Sequence, residues 1–250
     1  MKPIRALDGP PAGLASYLAT SDQPDWVEFR SHEAGASYRE LIDALTVRQH
    51  GLCAYCEIDL LGSDRQVEHF APRNGTAERD LDVGNLVAAC RGGSSASFAP
   101  FGPRPDEVRF LPPARRNISC GQAKGNRSPV WLVDPRHLPT APVFRVLADG
   151  RLEPDADACA SSGLSLEHLT RTIETLGLNV RRLREARRQF TDALVDRVAA
   201  IGDEDTRRRW IRALLSPNAE GNLRRFFSTS RSYFGTLAER VLETTSETWV

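Results

Sequence analysis

Four short stretches decide how this chain reads: 53-CAYC-56, 66-QVEHF-70, 85-NLVAAC-90 and 119-SCGQAK-124. Cys53 and Cys56 have the two-residue spacing by which one turn presents two ligands to a tetrahedral zinc. Cys90 and Cys120 supply the remaining two thiolates; they lie 30 positions apart, so a loop must leave the metal and return to it. His69 falls between the two halves of this set. The fifth cysteine, Cys159 in DADACASSG, is left over and reads as a small thiol without a function.

An odd number of cysteines, with four in a metal-like pattern, points to zinc in a reducing compartment rather than to disulfides. No apolar run approaches the roughly 20 residues that span a bilayer, and MKPIRALDGPPAG lacks the apolar stretch of a signal peptide. A cytoplasmic protein without a membrane is expected. Lys+Arg and Asp+Glu both number 33, so no whole-molecule field draws in a polyanion, and any such attraction must be local. Lysine occurs only at Lys2 and Lys124, and arginine carries the rest of the positive charge.

The Gly-, Pro- and Ala-rich opening reads as a weakly structured arm. Leu41, Leu45 and Val47 recur near helical spacing and predict a helix over 38–50, ended by Gly51. Residues 66–70 and 86–89 read as short strands with a polar loop between them. The segment 91–119, with Arg104, Arg109, Arg115 and Arg116, reads as a long basic insertion. VWLVDP predicts a strand, and FRVLADGRLEP a hairpin turned at Asp149-Gly150. Beyond it, Leu183, Phe190, Leu194, Val198 and Ile201 mark one face of a helix with Arg and Asp opposite, and further helices are expected over 205–215 and 223–242.

Within this frame His69 is a candidate general base, since an imidazole accepts a proton from water near neutrality. Glu68 precedes it and offers a hard oxygen ligand suited to magnesium or manganese, although an extended strand directs neighbours to opposite faces. Asn85 either fixes the loop carrying the base through its amide or is simply a turn residue beside Gly84. Lys124, on a short helix four residues after Cys120, is a candidate phosphate contact.

The series CAYCE, VEHFAP, GNLVAAC and SCGQAKGN resembles the HNH endonuclease superfamily, and most nearly the HNH nuclease subunit of Septu-type and retron-associated anti-phage systems. The resemblance extends over about residues 35–200, through LVDP, the hairpin and TIETLGLNVRRLREARR. It implies an α+β fold with a small zinc-stapled ββα-metal core and a mostly helical C-terminal region. The expected division is an arm at 1–37, a nuclease core at 38–135 containing the insertion, and the hairpin and helices at 136–250.

By the same resemblance His69 would activate water against a DNA phosphodiester, with Glu68 holding a magnesium or manganese ion and Asn85 as the middle asparagine of the motif. The zinc on Cys53, Cys56, Cys90 and Cys120 would be structural, because four thiolates leave it no open position. An ATPase partner that gates the nuclease is implied too, with low activity for the chain alone. One departure stands out. Gly121 occupies the position after the last cysteine where relatives carry a second ligand for the catalytic ion; Gln122, Asn126, Asp134 or water would have to replace it, with Gln122 nearest in sequence.

Two other uses of the cysteine motif fit poorly. CAYC does not follow a strand in a thioredoxin-like pattern, and a zinc deaminase requires its His, Glu and cysteine pair in a different order. The rival reading is a non-catalytic zinc module that binds nucleic acid or protein, with Gly121 marking lost catalysis.

Overall fold

The computed structural model describes residues 1–94, 115–243 and Trp249. Near the centre lies the helix predicted before the first cysteine pair, α3 (Ala36–Arg48). Its buried face is Leu41, Ile42 and Leu45, whereas Val47, expected on that face, is 72% exposed. The helix ends where His50 and Gly51 turn to positive φ, and the chain enters the cysteine turn. Before α3 run α1 (Ala12–Thr20) and α2 (Trp26–Ser31). The opening residues are therefore no loose arm. Leu14, Tyr17, Trp26 and Phe29 pack with the α3 face and with Val67, Leu81, Leu86 and Ala88 in one apolar cluster.

The strands β1 (Gln66–His69) and β2 (Leu86–Ala89) pair antiparallel, with His69 opposite Leu86 and Gln66 opposite Ala89. A two-stranded ribbon is marginal by itself, and here Gln49 ties it to α3. The buried Gln49 amide accepts from the Ala88 N–H at 2.7 Å and donates to the Ala88 and Leu52 carbonyls at 2.8 and 2.9 Å. It occupies the β2 edge much as a third strand would. Between the strands lies the one-turn helix α4 (Ala77–Asp80), and after them comes α5 (Cys120–Lys124). The predicted basic insertion, with Arg104 and Arg109, falls mostly outside the described residues; at its far end 115–117 form a 3₁₀ turn.

VWLVDP is not a strand. The Val133 N–H donates to the Thr172 hydroxyl at 2.9 Å and the Leu132 N–H closes a turn onto Pro129, so neither of these central donors serves a ladder. The hairpin is present as β3 (Phe144–Val146) and β4 (Leu152–Pro154). Gly150 turns it at φ +79°, where a β-carbon would overlap the Arg184 carbonyl.

Helices α6 (Ala156–Ser161), α7 (Leu166–Thr175) and α8 (Arg181–Ala199) follow. The apolar stripe of α8 is as expected, but two of its arginines are buried. Arg187 donates to the Gly150 and Leu178 carbonyls at 2.7 and 2.6 Å, and Arg182 to the Asn117 carbonyl at 2.8 Å and to the Ser119 hydroxyl. Burial lowers the Arg187 pKa to about 10. These guanidiniums latch the hairpin and the segment ahead of Cys120 onto α8. Cys159, 1% exposed, lies in the same core, which also contains the four clustered cysteines.

The C-terminal part is α9 (Glu204–Leu215), α10 (Phe227–Phe234) and α11 (Thr236–Glu243). The single helix expected over 223–242 is broken at Gly235. Glu57, just after CAYC, joins this part to the cysteine turn by accepting from the Ser228 N–H and hydroxyl at 2.7 and 2.5 Å. The whole is α+β, and no helix among the described residues is long and apolar enough to cross a membrane.

Candidate active site and metal centre

Cys53 and Cys56 lie on the turn after α3, Cys90 at the end of β2 and Cys120 at the start of α5. All four are buried, and their sulfurs lie within 4.8 Å of one another. Adjacent Sγ pairs are 3.9 Å apart for Cys53–Cys120 and 3.7 Å for Cys56–Cys90 and Cys90–Cys120. A tetrahedron with Zn–S bonds of 2.3 Å has edges of about 3.8 Å. These distances fit four thiolates around one zinc and are far too long for disulfides. Cys120 is held at φ +57°, a conformation that costs a side-chain-bearing residue on the order of 1–3 kcal/mol, and its N–H is anchored on the Leu176 carbonyl at 2.7 Å.

Beside this centre a cleft of about 210 Å³ is lined by Glu68, His69, Lys124, Arg73 and Asn126, with Trp26 as one wall. The His69 ring meets Trp26 edge-on at 4.5 Å, and its Nε2 lies 2.8 Å from the Asp80 carbonyl oxygen. A carbonyl only accepts, so Nε2 carries the proton and Nδ1 keeps its lone pair in the neutral ring. Burial lowers the His69 pKa below the ordinary histidine value, against the opposing pull of the Asp80 carbonyl, and so favours the neutral base.

The loop that carries Asp80 is held by Asn85, which does not itself line the cleft. Its Oδ1 accepts from the Ala71 N–H at 2.8 Å, and its Nδ2 donates to the Ala71 and Arg79 carbonyls, both at 3.0 Å. Asp80 turns the same loop by accepting from the Asn74 and Gly75 N–H groups. Asn85→Ala is expected to cost about 1–3 kcal/mol through the buried partners left unpaired and to loosen the Asp80 carbonyl under His69. Thermal melts and zinc content measured together check this: a lower Tm with full zinc is the expected pair.

Glu68 and His69 alternate along β1, yet both line the one cleft at the end of the strand. The Glu68 carboxylate lies 2.9 Å from Lys124 Nζ, and burial raises its pKa while Lys124 opposes the rise. Lys124 is fully engaged, donating also to the His69 and Phe70 carbonyls at 2.7 and 3.1 Å. This differs from the free phosphate contact expected from sequence: at 2% side-chain exposure, Lys124 staples α5 to β1.

A β-carbon added at Gly121 would overlap the Glu68 carboxylate. The glycine therefore makes room for the acid. Gly121→Ala should displace Glu68 from Lys124 and destabilise the fold by about 1–3 kcal/mol; an unchanged melting temperature would contradict this packing. The substitutes named for a second ion ligand are dispersed. Gln122 is exposed and donates to Gln66 at 3.3 Å, and Asp134 is paired with Arg136 at 2.5 Å; only Asn126 lines the cleft.

Sequence reasoning missed Trp26, Asp80 and Gln49. For Trp26 there was a signal: in 25-DWVE-28 the Asp25 side chain caps α2, accepting from the Val27 and Glu28 N–H groups at 2.6 and 3.0 Å, a helix start legible from Asp followed three residues on by Glu. For the Asp80 carbonyl there was none, since a backbone acceptor has no residue signature.

No protein-family model matches the chain. A relative from Escherichia coli, named retron Ec83 putative HNH endonuclease, is 32% identical over an alignment of 206 positions that covers 71% of this chain and 74% of that protein. With that likeness running across most of both proteins, the chain belongs to the HNH endonuclease family in the branch associated with retrons.

Proposed function

We propose that the chain is a metal-dependent endonuclease that hydrolyses DNA phosphodiester bonds as the effector of an anti-phage defence system. The observation that carries this reading is the neutral His69, oriented through Nε2 by the Asp80 carbonyl in a cleft shared with Glu68. In this reading β1, β2 and α5 are the ββα-metal core.

His69 Nδ1 takes a proton from water, and the water oxygen attacks phosphorus as the bond to the leaving oxygen breaks. Trp26 and the hydrogen bond to Asp80 fix the ring plane, and Asn85 acts as a positioning residue through the loop. Glu68 would hold the catalytic ion: magnesium and manganese accept one carboxylate together with water and phosphate oxygens, so the single acid in the cleft is a sufficient protein ligand. When bound, such an ion supplies charge stabilisation at the phosphate and the leaving oxygen. The zinc shapes the fold and takes no part in the chemistry.

The rival reading, a non-catalytic zinc module, leaned on Gly121 as a lost ligand. The close fit of the Glu68 carboxylate against Gly121 supports a space-making role instead. An ATPase partner that gates the nuclease belongs to this proposal, with low activity for the chain alone.

The experiment is DNA cleavage by the zinc-loaded chain with and without added magnesium or manganese, alone and with a co-expressed ATPase from a neighbouring gene. Cleavage that needs the added ion and rises with the ATPase is expected. Equal cleavage without added ion would remove the role given to Glu68, and full-rate cleavage untouched by the ATPase would remove the partner.

A further inference from the structure

Next to the His69 cleft lies a second, larger one of about 390 Å³, lined by Arg30, Arg39, Arg65 and Arg91 with the aromatic rings of Trp26 and Tyr38. The two share Trp26, Gln66 and Val67 as walls, so they adjoin along β1. None of the residues lining the arginine half is acidic.

The cations differ in how far they are already committed. Arg65 is paired with Asp43 at 2.5 Å. Arg30 lies over the Tyr38 ring at 5.6 Å, and Arg39 donates to the Ala34 carbonyl at 3.3 Å. Arg30, Arg39 and Arg91 are all exposed, and among the described residues none of their guanidiniums is paired with a carboxylate, while the Arg91 backbone N–H donates to Asp64 Oδ1 at 3.1 Å. In a chain whose formal charge sums to zero, this is a local concentration of positive charge beside the proposed reaction centre.

We propose that this groove, built by α2, the start of α3 and the ends of the β1–β2 ribbon, binds the phosphate backbone of the nucleic-acid strand whose scissile bond lies at His69. The inference rests on the nuclease reading and extends it to substrate placement. Planar guanidiniums with several donors suit phosphate oxygens, and arginine rather than lysine supplies every cation of the groove. Scale agrees as well. Arg65 and His69 are four residues apart along extended chain, on the order of 13 Å, comparable to about four nucleotides at 3.4 Å rise each. A strand entering the arginine half would reach the histidine within a few phosphates. The helices before α3 are then the platform that holds substrate.

The test is fluorescence anisotropy of a labelled oligonucleotide with the full-length zinc-loaded protein, without added divalent ion, across a series of salt concentrations. The variant is Arg30→Ala/Arg39→Ala/Arg91→Ala, and the control is Arg181→Ala/Arg188→Ala/Arg208→Ala, which removes the same formal charge from the exposed surface of α8 and α9. The groove variant is expected to bind about tenfold or more weakly at moderate salt. The slope of log affinity against log salt should shrink by about two to three, since each lost phosphate contact removes about 0.7–0.9. The control should match wild type. No binding by wild type, equal binding by the groove variant, or an equal loss in the control would each overturn the proposal.

The nuclease reading is scored separately, by wild-type hydrolysis of thymidine 5′-(p-nitrophenyl phosphate) with manganese in the presence of the proposed ATPase partner. A groove variant that binds weakly while wild type leaves this diester intact would uphold the groove and sink the nuclease. Hydrolysis by wild type with unchanged binding by the variant would do the reverse.

Discussion

Zinc removal, or Cys90→Ser, is expected to unfold the central core rather than merely to dull the protein. The four sulfurs come from three separate pieces of chain: the turn after α3, the end of β2 and the start of α5. Around them pack Leu132, Phe144, Leu169, Leu183 and Phe226, drawn from the turn after Pro129, the hairpin and the helical C-terminal part. Without the ion, four buried sulfurs converge with no cation to hold them together, and the Leu176 carbonyl is left to hold the left-handed backbone of Cys120. A structural zinc contributes on the order of 10 kcal/mol to folding, which equals or exceeds the whole stability of an ordinary domain. Circular dichroism and zinc content should therefore be lost together on chelation. Cys159→Ala is the matched control: its thiol is buried in the same core but outside the cluster, so zinc should be retained and the loss of stability small. An apo-protein that melts like the holo-protein would contradict a structural zinc.

The second large effect concerns rate. His69→Ala should lower phosphodiester hydrolysis by about 10²–10⁴-fold, the usual contribution of a positioned general base, with zinc content and fold kept. The side chain donates only to one backbone carbonyl and packs against Trp26, so its removal leaves one buried acceptor unpaired and a small cavity, a cost of about 1–3 kcal/mol. Single-turnover kinetics on the small diester, with added imidazole, separate chemistry from folding. Partial rescue by imidazole fits a missing base; a variant as fast as wild type would show that the base lies elsewhere.

How much of this was legible in the sequence follows from what each feature depends on. The cysteine set was legible because zinc demands a chemistry that few residue types supply, and the two strands because 66–69 and 86–89 are short runs bounded by polar turns. The opening segment was not. Its Gly and Pro content hides two helices that are stable because Leu14, Trp26 and Phe29 find partners on α3 and β2, a tertiary effect that composition does not carry. The VWLVDP segment misled for a related reason: its donors go to Thr172 and to a local turn, choices made by a helix some 40 residues further on. The buried Arg182 and Arg187 broke the expected charge pattern of α8 because a guanidinium can be satisfied by carbonyls, which sequence does not show.

In the site, His69 and Glu68 were legible as types, but their division of space was not. Gly121, read in one dimension as a missing ligand, in three dimensions leaves the room that the Glu68 carboxylate occupies. Asn85 and Lys124 were singled out for the right neighbourhood, and both act through backbone carbonyls, as a loop clasp and a helix staple respectively.

That His69 cuts phosphodiester bonds is the proposal on which the rest depends. Its most direct test is the conversion of supercoiled plasmid by zinc-replete wild-type protein in magnesium or manganese, beside zinc-replete His69→Ala, with the neighbouring ATPase present in both. Nicked or linear plasmid from wild type and intact plasmid from the variant are expected. Intact plasmid from both, or equal cutting by both, would contradict it.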